Sequence, residues 1–297
     1  MDAFTIPKDK IDVVLDTDAY NEIDDQFAIA YLLRSKDKLE TKAIYAAPFL
    51  NTKVESAKEG MEKSYDEILH VLGLMGESNK VYKGSTEFLP DEHTPVISDA
   101  ARDLAKRAES YSPEHPLYVI AIGAITNVAS AILLNPNVAK NTVLVWLGGH
   151  ALHFHNTKEF NMRQDIAGVR TVMQSGIPFV HVPAGGVVDT FRISKPELEY
   201  WLKGKSSLAT YLAENTVKEA ESYAKGKPWT RVIWDVVAVA YLLNDCDRFM
   251  LSRNIKAHLP AYDYTYEKEE SDINIRYVYS VKRDALMEDL IEKLTKI

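Results

Sequence analysis

Residues 13–27 read VVLDTDAYNEIDDQF and place five carboxylates within ten residues, directly after an apolar run. Charges of one sign repel one another at this density unless water surrounds them or a cation lies among them. Clustered carboxylate oxygens are the ligands that Ca²⁺ and Mg²⁺ prefer, and Ca²⁺ accepts more ligands in a looser geometry. The stretch is therefore a candidate metal site, and its acids are Asp16, Asp18, Glu22, Asp24 and Asp25.

The acidic stretch connects a predicted strand to a predicted helix. The strand Ile11–Leu15 ends just before Asp16, and Asp24 begins the helix Asp24–Arg34. Ligands of open α/β sheets bind in the crevice beyond the carboxyl ends of the strands, so these acids lie where an active site is expected. One or two of them can instead cap the helix and offset its dipole, but two caps do not require five carboxylates.

Short apolar runs alternate with longer helical patterns over the first two thirds of the chain. The runs are continuous rather than alternating, which predicts strands buried on both faces and an α/β fold with an open, mostly parallel sheet flanked by helices. The predicted strands are Ile11–Leu15, Ala43–Ala46, Lys80–Tyr82, Leu117–Ala121, Thr142–Leu147 and Phe179–Val182. The predicted helices between them are Asp24–Arg34, Lys53–Leu72, Asp99–Arg107, Thr126–Leu134 and Asp165–Ser175.

The last third of the chain is predicted to be more helical. A late hairpin is expected from Tyr264–Glu267 and Ile273–Val278, with the acidic segment Glu267–Asp272 as its turn. No linker, internal repeat or low-complexity segment interrupts the pattern, so residues 1–297 are expected to form a single domain. The predicted helices of this part are Glu197–Leu202, Leu208–Ala224, Asp235–Leu243 and Asp284–Leu294.

Composition limits the classes of partner. The formal net charge of −8 and the pI near 5.6 disfavour nucleic acid or an anionic membrane as a partner. Cys246 is the single cysteine, which excludes an intrachain disulfide and favours a reducing compartment. The N-terminus lacks the apolar core of a signal peptide, and no apolar run reaches the roughly 20 residues that span a bilayer. We therefore expect a cytoplasmic protein.

Two other metal-binding patterns compete for the acidic stretch. An EF-hand loop needs a central glycine and a bidentate acid twelve residues along, but the stretch has no glycine and residue 27 is Phe. An Asp-x-Asp after the first strand also resembles the haloacid dehalogenase phosphatases, with Asp16 as nucleophile and Asp18 as acid and base. That family carries a downstream Gly-Asp-x-x-x-Asp motif, which is not found here. A Mg²⁺-dependent phosphatase remains the alternative prediction.

Five segments of the chain, in order, resemble motifs of the inosine-uridine preferring nucleoside hydrolases. The first corresponds to the family's Asp-x-Asp-Pro-Gly-x-Asp-Asp signature, and the fourth to its Gly-Gly … Glu-Phe-Asn … Asp stretch. The segments are LDTDAYNEIDDQFAIAYLL (15–33), PFLNTKVES (48–56), AIGAITNVASAILLNP (121–136), LGGHALHFHNTKEFNMRQDIAGVRTVMQSGIPFVHV (147–182) and WDVVAVAYLL (234–243).

The resemblance implies a nucleoside N-ribohydrolase with a Rossmann-like sheet and a bound Ca²⁺. It implies side-chain ligands at Asp18, Asp25 and Asp235, a main-chain carbonyl ligand at Thr126, and Asp16 as support for the ligand shell. Asp24 is implied as the general base. The ribose hydroxyls are implied to be held by Asn51, Asn156, Glu159 and Asn161.

The chemistry of this reaction requires these residue types. Cleavage of an N-glycosidic bond passes through a transition state resembling a ribosyl cation, as in O-glycoside hydrolysis. A divalent ion can orient water and lower its pKa while a neighbouring carboxylate accepts the proton. Amide and acid side chains suit sugar hydroxyls, because each hydroxyl both donates and accepts hydrogen bonds.

The chain departs from the family pattern at two places. Ala19-Tyr20-Asn21-Glu22 replaces the usual Pro-Gly and lengthens the loop by two residues. Many relatives carry a histidine before the late aspartate, but here that position is Trp234, which can stack on a base and cannot donate a useful acid proton. These departures leave open a homologue that binds nucleoside or metal without turnover.

The expected partner is a small nucleoside substrate, which would fit purine salvage. By resemblance, the protein is expected to be a homo-oligomer, either a dimer or a tetramer. His150, His153 and His155 form the one histidine cluster, in which a zinc site is conceivable but lacks a completing cysteine or carboxylate pattern. His153 or His155 is alternatively expected to contact the base or the sugar.

Overall fold

A computed structural model describes residues 4–296 of the chain and places eight strands in one central sheet. Two further strands, β7 and β8, form a separate small sheet. The strands of residues 4–296 are β1 (Ile11–Thr17), β2 (Leu39–Ala46), β3 (Val81–Lys83), β4 (Leu117–Ala121), β5 (Thr142–Leu147), β6 (Phe179–Val182), β7 (Arg192–Ser194), β8 (Thr230–Val232), β9 (Met250–Lys256) and β10 (Asn274–Val281). The helices are α1 (Asp24–Leu33), α2 (Ala57–Met75), α3 (Asp99–Arg107), α4 (Thr126–Leu134), α5 (Asn137–Asn141), α6 (Phe160–Gln164), α7 (Ile166–Gln174), α8 (Lys195–Glu197), α9 (Ser207–Ala224), α10 (Val236–Tyr241) and α11 (Arg283–Thr295).

The order of the strands determines where a ligand can bind. The central sheet has the order β3-β2-β1-β4-β5-β6-β10-β9, and every neighbouring pair is parallel except β10 with β9. The predicted fold class, an open and mostly parallel sheet flanked by helices, is therefore confirmed. The chain runs outward from β1 to β2 and β3, then returns to β4 on the other side of β1. This reversal makes the carboxyl ends of β1 and β4 a topological switch point, where such sheets bind ligands.

The apolar run of β1 is buried because helices cover both faces of the sheet. Val13 and Leu15 pack on one face in a core that includes α1, α10 and α11, whereas Val14 packs on the other face against α3, α4 and α7. All three side chains are completely buried. Successive side chains of a strand point to opposite faces, so a continuous apolar run fits a strand covered twice. The assignment of residues 1–297 to one domain stays a prediction.

The predicted late hairpin is wrong in its first strand. β10 pairs with β9 rather than with Tyr264–Glu267, which is not a strand. β9 is an edge strand with the sequence MLSRNIK, and its polar residues are exposed or half-buried, so it has no apolar run to mark it. The short strands β7 and β8, which pair with each other, also lack such a run.

Several helix boundaries also differ from the prediction, and the start of the second helix has an evident cause. The second helix begins at Ala57 rather than Lys53, because the Ser56 hydroxyl accepts a hydrogen bond from the Glu59 amide and caps it. Within residues 4–296, no helix is both long enough and apolar enough to cross a membrane.

Candidate active site

Acids from the two ends of the chain meet beyond the carboxyl end of β1. Asp24 and Asp25 are the first residues of α1, and Asp235 directly precedes α10, a helix that packs against α1. One carboxylate oxygen of each of these three residues lies within 4.8 Å of the others, and all three residues are buried. Asp18, on the loop after β1, is close enough for its charge to raise the pKa of Asp235.

The clustered carboxyls resist ionisation when no cation is present. Burial is the largest cause and raises the pKa of Asp18, Asp25 and Asp235 well above their ordinary values, and repulsion among the acids adds to the effect. Burial likewise raises the pKa of Asp24 to about 7, while the Arg231 charge and a hydrogen bond with Asp235 oppose the shift. Four acids in one buried position indicate a site built for a positive charge.

The loop after β1 is held tightly around this cluster. The Thr17 hydroxyl donates to Asp25 Oδ1, and Gln26 Nε2 donates to the Ala19 carbonyl oxygen at 2.8 Å. A Cβ atom at Gly123, beyond the end of β4, would lie 2.9 Å from Asp18 Oδ1. Glycine at this position therefore lets the backbone approach the Asp18 carboxylate closely.

The donor set fits a divalent cation with hard-ligand preferences. Asp18 Oδ2 is buried and has no hydrogen-bond partner among residues 4–296. A buried ionised oxygen without a partner costs several kcal/mol, and a coordinated cation removes this cost. All donors are carboxylate oxygens, which match Ca²⁺ or Mg²⁺ better than zinc or copper.

Asp16 lies behind this cluster rather than in it. Its Oδ1 accepts a hydrogen bond from Asn127 Nδ2 at 2.7 Å, while its Oδ2 is buried without a partner in the described chain. Burial raises the pKa of Asp16 to about 7, against the lowering effect of the Asn127 bond. Asp16 is not among the residues that line the adjacent cavity.

The structure does not bring Thr126 to the wall of the cavity. Its hydroxyl donates to Asp165 Oδ2 at 2.6 Å, on the side chain that caps α7. Ile122, four residues earlier and directly after β4, lines the cavity instead. These contacts concern the Thr126 side chain, so its main-chain carbonyl as a cation ligand stays a prediction.

A cavity of about 230 Å³ opens beside the acids. It runs along the carboxyl edge of the sheet from the end of β1 past β4 and β5 to the loop after β6. One end carries four aspartates, and the other carries a histidine and small or apolar groups. The lining residues are Asp18, Asn21, Glu22, Asp24, Asp25, Ile122, Leu147, His150, Lys158, Glu159, Phe160, Asn161, Ala184, Gly185, Trp234 and Asp235.

Two of the predicted sugar-binding residues lie in this wall. Asn161 Nδ2 donates to the carbonyl oxygens of Ile122 and Leu147, both at 3.0 Å, which fixes the amide and leaves Oδ1 as its free acceptor. The Glu159 carboxylate accepts hydrogen bonds from the amides of Gly149, Asn161 and Met162. Glu159 therefore caps α6 and joins this helix to the turn after β5.

The other two predicted sugar-binding residues lie outside the wall. Asn51 Nδ2 donates to Asn21 Oδ1 at 2.8 Å, so Asn51 contacts a residue that lines the cavity without lining it itself. Asn156 bonds to the His155 ring and accepts from the Lys158 amide. Its side chain therefore stabilises the turn that leads to α6 rather than facing the acids.

Trp234 and Trp229 differ in their positions. Trp234 is half-buried and lines the cavity next to Asp235, and Phe160 contributes a second aromatic ring to the lining. Trp229 packs against the core and does not line the cavity. Of the two tryptophans, only Trp234 is therefore placed to contact a ligand beside the acids.

The lengthened loop is anchored by an ion pair between residues 209 positions apart in the sequence. Glu22 Oε2 lies 2.8 Å from a terminal nitrogen of Arg231, whose side chain is 16% exposed. The Arg231 guanidinium also lies near Glu219 and influences the pKa of Asp24. Glu22 is thus paired in the wall of the cavity, with a side chain that is still 41% exposed.

The histidine cluster does not form a metal site in the part of the chain that the structure describes. The only group of acids, histidines or cysteines there with metal-binding geometry is Asp24, Asp25 and Asp235. His153 and His155 are exposed, whereas the His150 ring stacks on Phe154 and lines the cavity.

Sequence reasoning missed several residues of the site. Asn21, Ile122, Lys158 and Phe160 line the cavity without having been singled out. Asn21 and Lys158 adjoin motif residues on the loops after β1 and β5, and that adjacency is the signal that could have identified them. Arg231 has no local signal, because its partner Glu22 lies 209 positions earlier in the sequence.

Solved structures similar to this chain share its fold over nearly their whole length. A plant nucleoside hydrolase is 19% identical, with a TM-score of 0.77 and coverage of 97% of this chain and 100% of that chain. An inosine-guanosine nucleoside hydrolase is 17% identical, with a TM-score of 0.78 and coverage of 97% and 99%. A purine-preferring ribonucleoside hydrolase from Gardnerella vaginalis is 17% identical, with a TM-score of 0.70 and coverage of 96% and 98%.

The family assignment comes from a comparison of sequences. No curated protein matches the chain significantly. The model of the family described as inosine-uridine preferring nucleoside hydrolase matches residues 13–288, which include the acidic loop, Asp235 and every strand from β2 to β10. This match decides between the nucleoside hydrolases and the haloacid dehalogenase phosphatases. The chain belongs to the inosine-uridine preferring nucleoside hydrolase family and is a hydrolase that acts on N-glycosyl bonds.

Proposed function

We propose that this chain is a Ca²⁺-dependent nucleoside hydrolase that splits ribonucleosides into ribose and free base. The observation that carries the proposal is the meeting of Asp24, Asp25 and Asp235 within 4.8 Å at one end of a cavity. The cavity extends away from these acids along the sheet edge and is large enough for a small ligand.

A cation would be held by Asp18, Asp25 and Asp235. These are buried carboxylates, one of which has an oxygen without a partner in the described chain. When bound, the ion would supply a positive charge that polarises water and sugar hydroxyls. We propose Ca²⁺ over Mg²⁺, because a site made of several protein carboxylates suits the larger ion better. Asp16 would support the arrangement from behind through Asn127.

Asp24 would act as the general base. Its carboxylate lies in the same cluster as Asp25 and Asp235, next to the place where a water polarised by the ion would lie. The adjacent residue Asp25 is held by the Thr17 hydroxyl, so neighbouring acids at the start of α1 can serve different roles. The water oxygen would form a bond to the anomeric carbon, Asp24 would accept one water proton, and the C–N bond would break.

The ribose would lie between the acids and α6. Asn161 offers Oδ1 from an amide fixed by two backbone carbonyls, which makes it a rigid acceptor for a sugar hydroxyl. Asn21 lines the cavity and is oriented by Asn51, so Asn51 would act indirectly. Glu159 would position α6 and Asn161, and Asn156 would act only through the turn that precedes them.

Trp234 would stack on the base, and its replacement should affect binding of purine nucleosides. Stacking of a base on an aromatic ring contributes about 1–3 kcal/mol, so Trp234→Ala is expected to raise KM for purine nucleosides about tenfold or more. Trp234→Phe, which retains an aromatic ring, should raise this KM less. Steady-state kinetics with a purine and a pyrimidine nucleoside provide the measurement.

Trp229→Ala is the matched control for this prediction, because Trp229 is half-buried but does not line the cavity. It should leave KM close to that of the parent. Unchanged purine kinetics for Trp234→Ala would contradict the stacking role.

The proposed function is tested by incubating the protein with a panel of purine and pyrimidine nucleosides and CaCl₂. Release of reducing sugar and free base is the expected result, with loss of activity in excess chelator and in Asp24→Ala. Binding of a nucleoside without hydrolysis over a long incubation would instead identify a non-catalytic homologue.

The physiological setting is part of the same proposal. We infer a cytoplasmic enzyme of nucleoside catabolism and purine salvage, because the chain has a single cysteine and its family acts on nucleosides. A homo-oligomer, either a dimer or a tetramer, is the assembly that the family resemblance implies.

A further inference from the structure

The proposed reaction needs a proton donor for the leaving base. When the C–N bond breaks, its electron pair stays on the base, and an unprotonated base anion is a poor leaving group. Trp234 occupies the position where many relatives carry a histidine, and an indole does not donate an acid proton at neutral pH. Another group in the wall of the cavity would therefore have to supply this proton.

Most titratable groups of the wall are already committed. The four aspartates form the cation cluster at one end. Glu22 is paired with Arg231 at 2.8 Å, and Glu159 accepts three backbone amides. Lys158 is exposed, and its ammonium lies over the Tyr264 ring. His150 is the remaining titratable residue of the lining.

The His150 ring is held in place by its backbone and by stacking. It follows Gly149, whose positive φ of 71° makes a sharp turn after β5, and its carbonyl oxygen accepts the Tyr266 hydroxyl at 2.7 Å. The ring stacks on the Phe154 ring, with centroids 4.8 Å apart and an angle of 25° between the ring planes. A group fixed in this way can be aimed at a ligand without reorganisation.

One nitrogen of the His150 ring can interact with a ligand. Nδ1 is buried without a hydrogen-bond partner, and neither ring nitrogen has one among residues 4–296. Gly185 lies beside this edge of the ring, because a Cβ at that glycine would come within 2.6 Å of Nδ1. The ring therefore packs its Nδ1 edge closely against Gly185, and Nε2 is the nitrogen that can reach a ligand in the cavity that both residues line.

The distance along the sheet matches the length of a nucleoside. Neighbouring strands lie about 4.8 Å apart, so the end of β5 lies about 10 Å from the end of β1. With the sugar beside the acids that follow β1, the base would extend past β4 toward β5 and β6. His150 and Gly185 follow β5 and β6, at the end of the cavity remote from the cation.

We propose that His150 is the catalytic residue that protonates the departing base, a role that rests on the proposed function. The C–N electron pair passes to the base, a base nitrogen takes the imidazolium proton, and the neutral imidazole is later reprotonated from solvent. The water oxygen bonds to the anomeric carbon and gives its proton to Asp24. Burial lowers the pKa of His150 against the attraction of Asp189, so its protonated form is a stronger acid than a solvated histidine.

The test compares two leaving groups in the His150→Gln variant. The base of a nucleoside needs a proton in order to leave. The leaving group of p-nitrophenyl riboside is p-nitrophenolate, which departs as a stable anion without a proton. We expect kcat with nucleosides to fall about 10²-fold or more, the usual effect of removing a general acid, and kcat with p-nitrophenyl riboside to be little changed. Retained activity on the second substrate also shows that the variant is folded.

His153→Gln is the matched control, because His153 is a neighbouring histidine that contacts Phe154 but does not line the cavity. It should resemble the parent on both substrates. Equal losses for His150→Gln on both substrates, or no loss on nucleosides, would overturn the role of His150. A parent enzyme that hydrolyses neither substrate would overturn the proposed function itself.

Discussion

Asp24→Asn is expected to lower kcat for nucleosides by about 10²- to 10⁴-fold while leaving cation binding in place. The amide keeps the shape of the side chain but cannot accept the proton of the attacking water. In the metal-free protein the substitution removes one of several crowded charges, so the melting temperature at pH 8 should rise. Steady-state kinetics and thermal melts with increasing CaCl₂ measure the two effects separately.

Asp25→Asn is the matched comparison, because it changes the adjacent acid of the same helix turn. We expect Asp25→Asn to have a lower kcat and to lack the calcium-dependent rise in melting temperature, since Asp25 is proposed as a ligand. If Asp24→Asn weakened calcium binding as strongly as Asp25→Asn, Asp24 would have to be reassigned as a ligand. Parental kcat in Asp24→Asn would remove it from the mechanism.

The metal-free protein is expected to lose stability as the pH rises from 5 to 8. Burial raises the pKa of Asp16 and Asp24 to about 7, above their ordinary value of 3.8 in an unfolded chain. Groups with a raised folded-state pKa stabilise the fold fully below the unfolded pKa, and that contribution is lost as the pH rises through the folded pKa. One pKa unit corresponds to about 1.4 kcal/mol, so each carboxyl costs on the order of several kcal/mol above pH 7.

Calcium should reverse most of this loss, because a cation offsets the repulsion that favours the protonated acids. Melting curves at pH 5 and pH 8, each with EGTA or with CaCl₂, provide the measurement. The largest gain from calcium is expected at pH 8, where protons compete least for the carboxylates. In EGTA, the fall in melting temperature between pH 5 and pH 8 should be smaller for Asp24→Asn than for the parent. Equal melting temperatures at the two pH values in EGTA, together with no effect of calcium, would contradict a buried cation site.

The parts of the fold that could be predicted are those with strong local patterns. β1, β4, β5 and β6 are continuous apolar runs because helices cover both of their faces, and their predicted bounds lie close to the observed ones. β9 could not be recognised, because an edge strand with exposed polar residues has no such run. Its pairing with β10 depends on contacts that form only in the folded chain.

The site was predictable to the extent that side-chain chemistry marks it. The acids after β1 are dense enough to stand out, and the family resemblance linked them to Asp235. A backbone carbonyl is present in every residue, so no side chain marks Thr126 as a carbonyl ligand, and only the resemblance singled it out. The pairing of Glu22 with Arg231 could not be predicted either, because it joins segments that are distant in sequence.

The meeting of the first helix with the segment before α10 has a consequence for how the protein gains and loses its metal. A cation held by both would cross-link two segments that are distant in the sequence. It would add stability by binding only the folded form, and unfolding would have to release it before the two segments separate. During synthesis on the ribosome, the complete ligand set would exist only after Asp235 has emerged, so the metal could not be fully coordinated before this segment folds against α1.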